Sequence, residues 1–191
     1  LLVNSLRMRP DRIVLGEMRR KEEAMVLFEA MHTGHSVYST VHAETAQETI
    51  TRLTNPPLGI PHTLLRAVNL NIVMFRNRRR GSRKISQIAE FDVGKDETKA
   101  NIIYRYSNET DTLVKHNPSV KFFEDLSRNT GMNENEISKD LAEKRKILLW
   151  LLNNNYRKLS EIGKIMNLYY KDSKFLSEKI NINDKKSLFG Y

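Results

Sequence analysis

Arg9-Pro-Asp-Arg-Ile-Val-Leu-Gly-Glu-Met-Arg19 is the stretch on which the reading of this chain turns. The residue before a proline avoids the helical region, so Met8-Arg9-Pro10 ends whatever precedes it. Arg12 to Leu15 then reads as a short buried strand, and Gly16-Glu17 delivers a carboxylate at its C-terminal end. In open α/β sheets, ligands bind outside the carboxyl ends of the strands. A glutamate there can orient an attacking water, or help hold Mg²⁺ through water. Taken alone, the same residues also suit a plain strand-to-helix turn that happens to carry a Glu.

Downstream, Ala24, Leu27, Phe28 and Met31 follow helical spacing from Lys21 to His32, and Gly34 is placed to stop that helix. Thr33-Gly-His-Ser-Val-Tyr-Ser-Thr-Val-His-Ala43 follows, with a β-rich core from Ser36 to His42. Thr40 and His42 are two apart, so on a strand they point to the same side. A hydroxyl and an imidazole at a strand end suit contact with a phosphate. A metal site from His32, His35 and His42 would need a helix end, a loop and a strand end to converge, without the spacing of zinc sites.

Further along, Ala46 to Thr54 reads as a helix stopped by Asn55-Pro56-Pro57, and Pro61 opens another through about Asn69. Asn71 to Arg76 is a strand. Ile85 to Val93 and Asn101 to Tyr106 form two more around the turn Val93-Gly94-Lys95-Asp96. The composition changes after about Asn117. Ser119 to Thr130 reads as a helix stopped by Gly131, and Asn133 with Glu136 makes a capping-box pattern. Ile137, Leu141, Leu148, Leu151 and Leu152 then form one apolar face, and Leu159, Ile162, Ile165, Met166 and Tyr169 another. A short helix follows over Asp172 to Ile180, and Asn181 to Tyr191 reads as a loose tail. The expected architecture is α/β over 1–117, an all-helical subdomain over 118–182, and a tail over 183–191.

The 191 residues hold no cysteine, which excludes disulfides, thiolate catalysis and Cys-based zinc sites. The longest purely apolar run, Ile147 to Leu152, is six residues, against roughly 18 for a membrane-spanning helix. The net charge of +9 favours anionic partners. The first residue is Leu1 and no charged-then-apolar leader follows, so no signal peptide is expected and the chain reads as if it begins in mid-domain.

Leu6-Arg-Met-Arg-Pro-Asp-Arg-Ile-Val-Leu-Gly-Glu-Met-Arg19 resembles the end of the Asp box running into the Walker B motif of type II/IV secretion ATPases. Thr33 to Ala43 resembles their His box, and the helix between, Glu22 to Met31, has a suitable length. Arg52-Leu-Thr-Asn-Pro-Pro-Leu-Gly-Ile-Pro61, Glu143-Lys-Arg-Lys-Ile-Leu-Leu-Trp150 and Tyr169-Tyr170 are similar to segments of the archaeal branch, which drives archaella and type IV pilus-like filaments. The resemblance covers the chain to about residue 180.

It implies the later part of a RecA-like P-loop NTPase core, an incomplete sheet, followed by the helical subdomain. It further implies ATP and Mg²⁺ as ligands, with Glu17 activating water and touching Mg²⁺ through water. His42 would contact the γ-phosphate, and Arg7, Arg9, Arg19 and Thr40 would bind phosphate or bridge subunits. The family assembles as hexamers against a polytopic membrane platform protein, cytoplasmic and peripheral at the inner face of the cell membrane, with no specific nucleic acid as partner. No Gly-x-x-x-x-Gly-Lys-Ser/Thr occurs in these residues. The backbone amides and lysine of that loop cradle phosphates, so the chain reads as the C-terminal half of an ATPase, inactive alone.

Two other readings stay open from sequence: a conjugation-type motor with nearly the same motifs, and a non-enzymatic basic nucleic-acid-binding protein. Arg76 to Lys84, with six basic residues, reads as a solvated loop, with nucleic-acid binding, lipid binding or a subunit contact as the functional alternatives. Ile147 to Leu152 reads as helix core. As a docking surface for a platform protein, part of it would have to be exposed.

Overall fold

Six strands and eight helices are built by the residues that a computed structural model describes, 2–189, the side chain of Val3 excepted. They divide into two units, Leu1–Asp125 and Leu126–Tyr191. The composition shift near Asn117 precedes that division.

The first unit is mixed α/β, as expected. Helix α1 (Leu2–Arg7) leads into β1 (Arg12–Leu15), α2 (Lys21–His32) and β2 (Ser36–Ser39). β1 and β2 pair in parallel, Arg12 opposite Ser36 through Leu15 opposite Ser39. This is a minimal β-α-β unit, and it sets the two strand ends side by side. α2 covers one face, where Ile13, Leu27 and Ala30 are buried together. On the other face Val14 and Tyr38, opposite each other in register, are 77% and 59% exposed.

Next come α3 (Ala46–Thr54) and a 3₁₀ turn over His62–Ala67, where the sequence suggested a longer helix over 61–69. Pro56-Pro57 is a cis peptide. A four-stranded antiparallel sheet follows: β3 (Asn71–Asn77), β4 (Ser82–Val93), β5 (Thr98–Ser107) and β6 (Thr112–Lys115), in spatial order. β6 was not anticipated. It is a four-residue edge strand with every residue exposed, so it carries no alternation to read. Phe28, Leu53, Ile60, Leu65 and Phe91 join α2, α3, the 3₁₀ turn and β4 in one core. Two glutamines fasten α3 to the sheet: Gln87 Oε1 accepts from the Ala46 N–H at 2.8 Å, and Gln47 Oε1 from the Ala100 N–H at 3.0 Å.

A buried carboxylate organises the end of this unit. Glu90 on β4 is 1% exposed. It accepts from the backbone N–H groups of Val120, Lys121 and Phe122 at 2.6, 3.1 and 2.9 Å. Ser119 Oγ at 3.0 Å and Asn101 Nδ2 at 2.8 Å donate as well. The backbone donors run from Val120 into the first residue of α4 (Phe122–Thr130), so a side chain some thirty residues away holds the entry to the helix. Burial pushes the Glu90 carboxyl up, but the hydrogen bonds from Val120, Phe122, Asn101 and Ser119 together outweigh it and hold the group below the usual range.

The second unit is helical: α5 (Glu134–Asn153), α6 (Leu159–Lys171), α7 (Ser173–Asn181) and α8 (Lys185–Phe189). The capping box forms as read: Asn133 Oδ1 accepts from the Glu136 N–H at 3.0 Å, and Glu136 Oε2 from the Asn133 N–H at 2.8 Å. The buried face of α5 is rotated from the one inferred. Ile137, Ile147 and Leu151 are buried, whereas Leu141, Leu148 and Leu152 are 42%, 51% and 53% exposed. Ile147 and Leu151 pack with Ile165, Tyr169, Leu176 and Ile180, and that contact sets which arc of the helix faces inward. Part of Ile147 to Leu152 is therefore exposed within the unit. Asp140 braces α5 to α6, accepting from the Tyr169 hydroxyl and from Lys144, both at 2.6 Å. The loose tail is corrected over 185–189: these residues form α8, and Leu188 and Phe189 complete the core. Positions 190 and 191 of that expected tail, and Leu1, lie outside the described residues.

Candidate functional site

The parallel β1/β2 pair continues past its strand ends. The Met18 N–H donates to the Thr40 carbonyl at 3.1 Å, and Thr40 Oγ1 donates to the Gly16 carbonyl at 2.5 Å. These two bonds bracket Glu17 and bring its side chain to the segment that carries His42. His42 Nε2 lies 3.3 Å from Glu17 Oε1. Arg19 holds the other oxygen, with Nε and Nη2 both 2.7 Å from Oε2. The Glu17 side chain is 23% exposed, while Arg19 and His42 are largely in solvent. Hydrogen bonding from Arg19, opposed by partial desolvation and aided by the charges of Arg19 and His42, holds the Glu17 carboxyl below its ordinary value. It is ionised at neutral pH, as a water-orienting base must be.

Glu17, Arg19 and His42 line a cleft of about 240 Å³ with Met18, Val41, Arg52, Pro56, Pro57 and Leu58. Arg52 was not singled out from the sequence as a site residue. It reaches the cleft from the last turn of α3, where Glu48 Oε1 pairs with its Nε at 3.0 Å. The signal for it lay in the helix period: Arg52 and Glu48 share one face, shortly before the Pro56-Pro57 that also lines the cleft. Two guanidinium groups and an imidazole around one carboxylate make a cleft suited to a phosphoryl anion.

The other residues proposed from sequence fall elsewhere. Thr40 lines a neighbouring cavity, and its hydroxyl is spent on Gly16. Arg7 ends α1 and Arg9 sits in the turn after it with φ 48°; both are exposed and neither lines the cleft. His35 Nδ1 lies 3.3 Å from Thr33 Oγ1 and 3.3 Å from the Ala30 carbonyl, at the end of α2. For Mg²⁺, the cleft offers Glu17 as its one carboxylate. That fits an ion bound mainly by water and substrate phosphate, which takes one or two carboxylates, rather than an ion caged by protein.

A second cavity, of about 480 Å³, adjoins the site. Among the described residues β2 pairs only with β1 and β3 only with β4, which leaves each one unpaired edge there, and Val37 to Ala43 and Leu70 to Met74 both line this cavity. Phe28, Leu53, Val73 and Phe91 form its apolar walls. Ser39 Oγ and Asn71 Oδ1, one on each strand, are buried there with no hydrogen-bond partner among the described residues.

An α/β unit that sets a carboxylate and a histidine at adjacent parallel strand ends, beside a cationic cleft, has the form of a phosphate-handling core. Comparison with known proteins supplies the family. Residues 1–116 match the type II/IV secretion system protein family, and the chain belongs to it. An uncharacterized protein of Methanocaldococcus jannaschii is 32% identical over 153 residues, 78% of this chain and 56% of its own length. The type IV pilus assembly ATPase PilB of Pseudomonas aeruginosa is 47% identical over 68 residues, 35% of this chain and 12% of its own. The type II secretion system protein E of the same organism is 39% identical over 71 residues, 37% and 14% of the two chains. The chain thus spans about half the length of one relative and far less of the others.

Proposed function

We propose that this chain is the Walker B and His-box part of a motor that hydrolyses Mg-ATP, as a hexamer, to power assembly of a type IV filament such as an archaellum or pilus, or type II/IV secretion. The observation that carries the reading is the 3.3 Å approach of His42 to Glu17 in a cleft that also holds Arg19 and Arg52. Family membership and the PilB and secretion protein E likenesses support it.

In this mechanism Glu17 accepts a hydrogen bond from the attacking water and aligns it with the γ-phosphorus. His42, displayed on the same wall, donates to a γ-phosphate oxygen. Arg19 and Arg52 spread the charge that builds on the equatorial oxygens. Glu17 would hold Mg²⁺ through water, and the ion would supply neutralisation of phosphate charge there. Arg7 and Arg9, away from the cleft, are left for contacts between subunits.

The cavity between β2 and β3 supports the RecA-like reading. A further strand there would pair with both open edges, join the two sheets and supply partners for Ser39 and Asn71. We place the phosphate-loop strand in it. A helix packed behind that strand would cover Val14 and Tyr38, since parallel strands are ordinarily buried on both faces. Among the described residues no helix is long and apolar enough to cross a membrane; a membrane platform protein is the partner that the family reading supplies.

Reading the coding DNA upstream of Leu1 tests this economically. A Gly-x-x-x-x-Gly-Lys-Ser/Thr after a strand pattern is the expected result; a start codon at Leu1 would sink the hydrolytic reading. Within the complete motor, His42→Ala should slow turnover by about 10²-fold while changing ADP affinity less than about threefold, because only ATP presents a γ-phosphate. Parallel loss of ADP binding, measured by calorimetry, would make His42 a structural residue instead.

A further inference from the structure

The turn joining β3 to β4 is a basic tip. Arg76, Arg78, Arg79, Arg80 and Arg83 fall within eight residues, and all five are exposed. The ladder sets Arg76 directly opposite Arg83, and like charges in that position destabilise a strand pair. No ion pair found among the described residues involves any of the five. Lys84, next along, shows the contrast: it is paired with Asp111, which also accepts from the Tyr106 hydroxyl. Asp111 lies close enough to feel Arg80, and Glu109 is the other carboxylate on the neighbouring β5–β6 turn.

The tip is also built rather than slack. The Arg80 N–H donates to Asn77 Oδ1 at 3.0 Å, and Gly81 takes φ 64°, a conformation that favours glycine. An ordered turn that gathers repelling cations, one pair of them cross-strand, lowers stability unless an anion meets it.

We propose that this hairpin tip docks on an anionic lipid bilayer. Its arginines lie on both strands and round the turn, so they meet a planar charged surface better than a groove read from one side. Residues 76–83 contain no aromatic ring on which a base could stack. Phe75, just before them, is engaged by Tyr106 at 5.2 Å between ring centroids. A cation near an anionic leaflet is worth about 1 kcal/mol, or about fivefold in partition.

The test uses this chain as it stands and needs no nucleotide, so its outcome is separate from that of the ATPase reading. The chain is sedimented with vesicles of phosphatidylcholine containing phosphatidylglycerol, and with pure phosphatidylcholine. We expect binding to the anionic vesicles alone, lost on raising salt from about 0.1 M to about 1 M. The variant Arg78→Ala/Arg79→Ala/Arg83→Ala should weaken partition by about a hundredfold. It should melt no lower than the parent, since it removes repulsion. The corresponding triple Lys variant should keep binding, and so should Arg157→Ala/Lys158→Ala in the second unit. Failure to bind anionic vesicles, or unchanged partition of the triple Ala variant, would overturn the proposal. So would hairpin-dependent capture of a DNA duplex with the vesicles left unbound.

Discussion

Glu17→Gln in the complete motor should lower kcat by about 10²–10⁴ while nucleotide still binds. The substitution keeps the size of the side chain and removes the group that orients water. In the present geometry it also removes the negative charge that holds Arg19 at 2.7 Å and His42 at 3.3 Å. Both side chains are then free to lean on the phosphates, so ATP affinity should hold or rise while turnover collapses. That divergence is what separates a role in the chemical step from a role in folding, where binding and turnover would fall together. Steady-state hydrolysis and equilibrium nucleotide binding on the same preparation read it out. A variant with near-normal turnover would remove Glu17 from the mechanism.

The second large effect is on stability. Glu90→Ala should destabilise the first unit by about 3 kcal/mol, because it orphans three backbone amides and two side-chain donors at once. Glu90→Gln, which keeps one acceptor oxygen but offers an NH₂ where the amides converge, should cost about 2 kcal/mol. The sign of the pH dependence follows from the carboxyl lying below its ordinary value in the folded chain. Its contribution is fully present above the unfolded glutamate pKa, and is lost as pH falls through the lower folded one. Urea unfolding at neutral pH and in mild acid measures both. A loss below about 0.5 kcal/mol for the Ala variant would show that water replaces the carboxylate without penalty.

These two carboxylates mark what could and could not be read from the chain. Glu17 and His42 were singled out by the resemblance of their two segments to the Walker B and His boxes. The short strand, the helix of a dozen residues and the second short strand pair in parallel, which sets residues 17 and 42 side by side. Glu90 was not legible. It sits within a strand, and its backbone donors are about thirty residues away, so no short window of sequence contains both. Arg52 was missed for a related reason, since the residues it joins in the cleft, Glu17, Arg19 and His42, lie in other segments of the sequence. Thr40 lies where the strand spacing puts it, outside the lining of the cleft. Its hydroxyl closes on the Gly16 carbonyl, which positions the Glu17 turn. The face of α5 was misjudged because Leu at 141, 148 and 152 fits helical spacing as well as the buried set does; only the packing of Ile147 and Leu151 against α6 and α7 separates them.

The measurement closest to the central claim is a structure of the complete protein with Mg²⁺ and a non-hydrolysable ATP analogue. It should place a γ-phosphate oxygen within about 3.2 Å of His42 Nε2, with a water between Glu17 and the γ-phosphorus and a strand seated between β2 and β3. A γ-phosphate bound out of reach of both side chains, with Glu17 still closed on Arg19, would contradict the account.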